Sequence, residues 1–260
     1  MKFQTNSYIN SSNNKSIDSK NNEKLDFLYG YSVVLPALEQ KRRNLVRLFY
    51  QETTFSKKQD RQVHGLFFTS SSSTRMAIEK IVNLSKESSI PVVKADKQEL
   101  NRLVDNRPHQ GVVLKASRIN PTPIKFLGGY FNESYEIIES NTNSTTICQK
   151  SLKNPLLPFW LALDQIVDPQ NLGAILRSAH FFGVDGVVLC TKNSAPLSSV
   201  TAKASSGALE IMDLFEVGSL TKFLENSSKN GWVIYGADAL EGPKRHNDNF
   251  ISVNELFDWK

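Results

Sequence analysis

The sequence predicts an α/β protein of two domains, the second built on a parallel sheet. Three observations carry this. Residues 158–189 read as strand, helix, strand. Residues 45–114 alternate short apolar runs with helical patterns. Between the two, residues 119–157 change composition. A strand–helix–strand unit crosses over to a parallel strand, and alternating elements imply α/β layers.

The later unit is the most sharply defined. Phe159 to Leu163 is an apolar run ending at Asp164, as a buried strand would be. Asp168-Pro169 punctuates the chain. Leu172, Ile175, Leu176, Ala179 and Phe182 follow helix spacing. Gly183 ends that helix, since glycine tolerates the left-handed cap. Val187 to Leu189 is the second strand. Sheets of this kind bind ligands in the crevice where the first strand meets its helix. Asn171, Gly173 and Arg177 sit there.

The front unit begins near Phe27. Ser32 is a plausible N-cap for a helix to about Gln40. Lys41, Arg42 and Arg43 follow, then Leu45 to Tyr50 as a strand. Arg75 to Leu84 is helical, with Ala77, Ile81 and Leu84 on one face. Pro91 to Val93 is a strand. Asp96 and Glu99 form a capping-box pattern for a helix carrying Leu100, Leu103 and Val104. Gly111 to Leu114 closes the unit as a strand.

Residues 1–24, rich in Asn, Ser and Lys, predict a disordered tail. They contain no arginine, so they give only weak support for a mitochondrial presequence. Residues 119–157 hold Pro121, Pro123, Gly128, Gly129 and the run ESNTNSTT, and predict a linker or insertion. The domains are therefore expected at 25–118 and 158–260. In the latter, Val200 to Ser205 reads as a helix and Ile211 to Val217 as a strand. Ser219 caps a helix, Trp232 to Tyr235 is a strand, and Ser252 with Glu255 form a second capping-box pattern.

Charge is unevenly placed. The net charge is +5. Residues 25–118 carry sixteen Lys/Arg against nine Asp/Glu, and residues 158–260 carry eight against twelve. The front unit is the better match for a phosphate backbone. Cys148 and Cys190 are the only cysteines, too few for a disulfide framework or a cysteine zinc site. No apolar run approaches the ~20 residues of a membrane helix. No G-x-G-x-x-G follows a strand, which argues against a dinucleotide enzyme.

The segment DQIVDPQNLGAILRSAHFFGVDGVVL resembles the first signature motif of the SpoU-type SPOUT RNA methyltransferases. The run SSVTAKASSGALE, Ser198 to Glu210, is similar to the stretch that follows it there. FLYGYSVVLPAL, RRNLVRLFY and RPHQGVVLKAS resemble the family's RNA substrate-binding module, which folds like a ribosomal protein. The long insertion and Asn/Ser/Lys-rich tail resemble fungal mitochondrial large-subunit rRNA guanosine methyltransferases.

The resemblance implies methyl transfer from S-adenosyl-L-methionine to a ribose 2′-hydroxyl of rRNA. Mitochondria are the implied location, with the cytoplasm as the alternative. It also implies a homodimer formed through the SPOUT domain. Arg177 and Asn171 match the family's catalytic positions. Arginine stays protonated, so a bidentate clamp on phosphate and ribose is easier to defend than a base. The plainer role for Arg177 is a surface ion pair, and for Asn171 a helix-start residue.

Lys41, Arg42, Arg43, His109, Gln110, Lys203 and Ser205 are the candidate RNA contacts. The three basic residues could equally be a solvated face. His109 could serve structure, and Lys203 and Ser205 could lie in a polar loop packed on the sheet. Glu210 has no role derivable from sequence. Two further family motifs, which build the knotted donor-binding loops, have no match in residues 236–260. The donor-binding residues are therefore expected beyond Lys260, and none is assigned within the chain. The expectation is a SPOUT domain that stops before its trefoil knot. A non-catalytic RNA-binding or ribosome-assembly protein is the competing reading.

Overall fold

A computed structural model describes residues 24–51, 70–140, 145–149 and 157–237. The first unit runs Leu25–Tyr29 (β1), Tyr31–Gln40 (α1), Leu45–Tyr50 (β2), Ser70–Glu87 (α2), Val92–Lys94 (β3), Lys97–Leu103 (α3) and Val112–Ser117 (β4). Its sheet has the order β1-β4-β2-β3. β4 is antiparallel to β1 and β2, and β3 is parallel to β2. Ile78, Ile81 and Val82 of α2 are buried at i, i+3 and i+4, as an amphipathic helix requires. Asp96 and Glu99 form the expected capping box at 2.8 and 2.9 Å.

The start of α1 differs from the expectation. Its N-cap is Gly30, not Ser32. Gly30 has φ +84, and a Cβ there would collide with Lys203 Nζ. Glycine is needed for both the turn and the close approach.

The second unit runs Thr122–Phe131 (β5), Ser134–Glu139 (β6), Thr145–Gln149 (β7), Trp160–Leu163 (β8), Pro169–Phe181 (α4), Gly186–Cys190 (β9), Ser199–Ala204 (α5), Ala208–Ile211 (α6), Leu214–Val217 (β10) and Leu220–Lys229 (α7). The strand order is β7-β6-β5-β10-β9-β8. β5, β10, β9 and β8 are parallel neighbours, and β5, β6 and β7 are antiparallel. Gly183, at φ +68, ends α4, and Val184 N–H donates to Ala179 O at 3.0 Å across it. Ser219 Oγ caps α7 through Lys222 N–H.

The segment expected as a linker or insertion is folded. Residues 119–157 supply three strands of the second sheet. Tyr135 and Ile137 alternate inward on β6, while Ile124 and Leu127 are buried on β5. Register shifts on either side of Leu127 break the period of two. Gly128 looks like loop punctuation, yet a Cβ there would meet Glu136 Cβ at 2.7 Å. It is a glycine of close strand contact.

Trp232 to Tyr235 is not a strand. Val233, Ile234 and Tyr235 are exposed. Trp232 instead donates from Nε1 to Gly128 O at 2.7 Å and stacks edgewise on Tyr135. The expected strand from Ile211 begins only at Leu214, because Ile211 closes α6. The tail, residues 1–23, the Ser252–Glu255 pattern and the last residue, Lys260, lie outside the described residues. The expectation that the donor-binding residues follow Lys260 therefore has no counterpart in the described fold.

The two units share a core. One buried cluster joins Leu28, Val33 and Leu38 of the first to Leu172, Leu209 and Leu214 of the second. Gly207, at φ +90, sits against α1, where a Cβ would collide with Ser32 O. Pro36 lacks the N–H that would otherwise bond that carbonyl in the helix.

Candidate active site at the seam of the two units

Helix α4 opens on Asp168, whose carboxylate accepts from Asn171 N–H at 3.0 Å, with Pro169 as its first residue. Asp168 is therefore the cap, and Asn171 is not. Leu172, Leu176 and Ala179 bury one face. Gly173 lets α4 approach α5 closely, since a Cβ would lie 2.5 Å from Ala204 Cβ and 2.7 Å from Thr201 O. The packing leaves Asn171 and Arg177 exposed. Six positions separate them, about 9 Å along and about 120° around the helix. The Arg177 side chain has no hydrogen bond or ion pair among the described residues. Among the described residues its guanidinium keeps all five donors.

Helix α5 carries Lys203 to the first unit. Its Nζ donates to Gln110 Oε1 at 3.1 Å and lies 5.9 Å from the centroid of the Tyr29 ring. Burial pushes the Lys203 ammonium below the usual lysine value. Lys203 has no carboxylate partner among the described residues. A partly desolvated, unneutralised cation is a good receptor for a phosphate oxygen.

Other expected contacts are used internally. Arg43 is 4% exposed and cannot belong to a solvated face. Its Nε and Nη2 donate to the two carboxylate oxygens of Glu210 at 2.8 Å each, and Nη1 donates to Ser117 O. Arg42 reaches the carbonyls of Met212 and Glu210 through Nη1. Ser205 is buried, donating to Ala202 O and accepting from Leu209 N–H, so its hydroxyl is not offered to RNA. His109 is buried, and Nδ1 accepts from Gly111 N–H at 3.0 Å. Burial and the nearby Lys97 hold its pKa below the ordinary value. His109 thus closes its own turn. Lys41 is exposed at the end of α1, in the left-handed region.

The structure therefore brings Gln110, Lys203, Tyr29 and Gly30 together. It removes Arg43, His109 and Ser205 from the surface. Glu210 is the residue whose role sequence reasoning missed. The available signal was an acid inside the apolar run Ala208 to Met212, where a buried carboxylate demands a buried cation.

Two family models match the chain. Residues 158–255 match the SpoU rRNA methylase family. Residues 56–122 match the RNA 2′-O ribose methyltransferase substrate-binding family. The chain is 31% identical to the human protein named rRNA methyltransferase 1, mitochondrial, over 90% of this chain and 56% of the relative. It is 34% identical to the Dictyostelium discoideum protein of the same name, over 79% of this chain and 37% of the relative. The chain thus spans roughly a third to a little over half of these curated relatives. Its fold is similar to that of an AdoMet-bound rRNA methyltransferase from Sinorhizobium meliloti, with TM-score 0.51 and 16% identity, over 79% of this chain and 59% of that one. The signature helix α4 lies inside the first match and β4 inside the second, and the chain belongs to the SpoU family of RNA methyltransferases.

Proposed function

We propose that this protein acts in S-adenosylmethionine-dependent methylation of a guanosine ribose 2′-hydroxyl in mitochondrial large-subunit rRNA. The observation that carries it is Arg177, an exposed guanidinium without a partner among the described residues, on the helix of the signature motif. The relatives' names support rRNA as the substrate and mitochondria as the location. The homodimer implied by the resemblance is part of the same proposal.

The chain's own residues act on the acceptor. Arg177 clamps phosphate and ribose with its planar fork and aims the 2′-oxygen. Asn171, between one and two turns nearer the helix start, offers an amide to the same nucleotide. Lys203, held by Gln110, takes a flanking phosphate. Lys41 adds non-specific phosphate attraction.

The SpoU family draws its methyl group from S-adenosylmethionine. That donor is a bulky sulfonium cation with a free carboxylate. Among the described residues, a cavity of about 270 Å³ lies at Val217 to Ser219, beyond β10, with Lys125 and Lys222 in its lining. Two ammonium groups suit a carboxylate but repel a sulfonium. This cavity does not by itself fit the donor.

The test is single-turnover transfer of labelled methyl to a transcript of the mitochondrial large-subunit rRNA, with the modified ribose mapped. A single protected guanosine ribose is expected. Methyl found on a base, or on no nucleotide when donor binding is intact, would overturn the proposal.

A further inference from the structure

The seam between the units also holds a cavity of about 160 Å³. Phe27 and Tyr29 of β1, Leu103, Asp105 and Arg107 at the end of α3, and Ser199 at the start of α5 line it. Neither Asn171 nor Arg177 is in the lining. The volume is below the roughly 300–1,000 Å³ that enclose a whole drug-sized ligand. It suits one planar base, with sugar and phosphate outside.

The walls favour a base as well. Half-buried Phe27 offers aromatic surface, the usual platform for unstacked RNA bases, and Tyr29, itself buried, packs in the same cluster behind it. Charge decides which part of a nucleotide enters. Asp26 also lines the cavity, and it is buried. Its Oδ1 pairs with Arg118 at 3.0 Å, while its Oδ2 is buried without a hydrogen-bond partner among the described residues. An unmatched buried acceptor calls for a donor from a ligand and repels a phosphate. The side chains of Asp105 and Arg107 make no hydrogen bond or ion pair among the described residues. Both are exposed as well as lining, so they stand at the mouth. Lys203 lies near the Tyr29 ring, on the side of the seam toward Gln110. Asp26 thus stands on the cavity wall, Asp105 and Arg107 at its mouth, and Lys203 outside the lining beside the Tyr29 ring.

A carboxylate only accepts hydrogen bonds. Guanine is the base that presents two adjacent N–H donors, N1–H and N2–H, on its Watson–Crick edge. We propose that the seam cavity is a base-reading subsite for a guanine flanking the methylated nucleotide, with Asp26 and Asp105 accepting from its N1–H and N2–H and Arg107 and Lys203 holding its phosphates. The inference rests on the RNA-binding reading above. It adds a specificity element built by both units.

The test uses the 260-residue chain and three labelled single-stranded hexamers: uridine with one central guanosine, the same with inosine, and all uridine. Fluorescence anisotropy reads affinity. The guanosine hexamer is expected to bind about five-fold or more tightly than all-uridine, with inosine between because it lacks the N2 amino group. Asp105→Asn lowers the preference while keeping the turn, because Asn tolerates the φ of +52 at this position. Asp26→Asn does the same while leaving an oxygen for Arg118. Arg107→Ala weakens all three alike. Equal affinities in the unaltered chain, or a preference that survives either aspartate change undiminished, would overturn the subsite. If base preference is absent but salt-dependent binding to structured rRNA persists, the subsite alone falls. Loss of all RNA binding removes both readings.

Discussion

Arg43 and Glu210 stand 167 positions apart and meet in a two-pronged ion pair, 2.8 Å at each prong, with both side chains essentially without solvent. One belongs to the loop before β2, the other to α6. The pair and the Gly207–Ser32 contact hold the two units in fixed register, and the Ser117 carbonyl orients Arg43 from within the first unit. Gln110 of the first unit is thereby kept within reach of Lys203 on α5.

Breaking the pair at one end leaves a buried charge uncompensated. Glu210→Gln or Arg43→Met alone should therefore cost about 3–5 kcal/mol. Arg43→Met combined with Glu210→Leu should recover much of that loss, since well-packed apolar substitutes are often neutral. Urea unfolding midpoints read both. Single variants within ~1 kcal/mol of the unaltered protein would show that the pair is not buried in solution.

Arg177→Ala should lower single-turnover methyl transfer far more than donor affinity, because the clamp is made most fully in the transition state. Arg177→Lys should rescue poorly, as an ammonium lacks the planar fork. If Arg177 were a surface residue only, either change would cost at most ~1 kcal/mol of stability and leave turnover nearly intact.

RNA binding should weaken steeply with salt, through release of counterions from the phosphates. Lys203→Ala should reduce the slope of log affinity against log salt by about one. Gln110→Ala should lower affinity less, since it orients the ammonium and carries no charge. A slope unchanged in Lys203→Ala would place that lysine outside the phosphate path.

His109 gives a pH signature. Its folded pKa lies below the ordinary 6.5, because burial and Lys97 disfavour the imidazolium. Below 6.5 the unfolded chain binds the proton first, so stability falls as pH drops from there toward the folded pKa. Above 6.5 the contribution is fully present. His109→Gln should flatten that acid-side decline in unfolding experiments between about pH 7 and about pH 4.5, relative to the unaltered chain. Parallel curves would remove His109 as the cause.

Local order is legible in the residues. The helix α4 pattern, the Asp96–Glu99 capping box, Gly183 at a helix end and the limits of β2 all follow from contacts within a few positions. The family motif is likewise a contiguous run. Residues 119–157 read as a linker because register shifts and the paired glycines hide strands that only their neighbours explain.

The fate of each charge was decided by tertiary structure. Lys41, Arg42 and Arg43 are three adjacent cations in sequence. Folding leaves the first exposed, ties the second to backbone carbonyls, and buries the third against Glu210. Lys203 and Gln110, 93 positions apart, meet beside Tyr29 in the same way. Hydrophobic period and capping are encoded locally, so one sequence suffices to read them. Whether a charge faces water, a carboxylate or a ligand depends on which distant segment desolvates it, and that is a property of the packed chain alone.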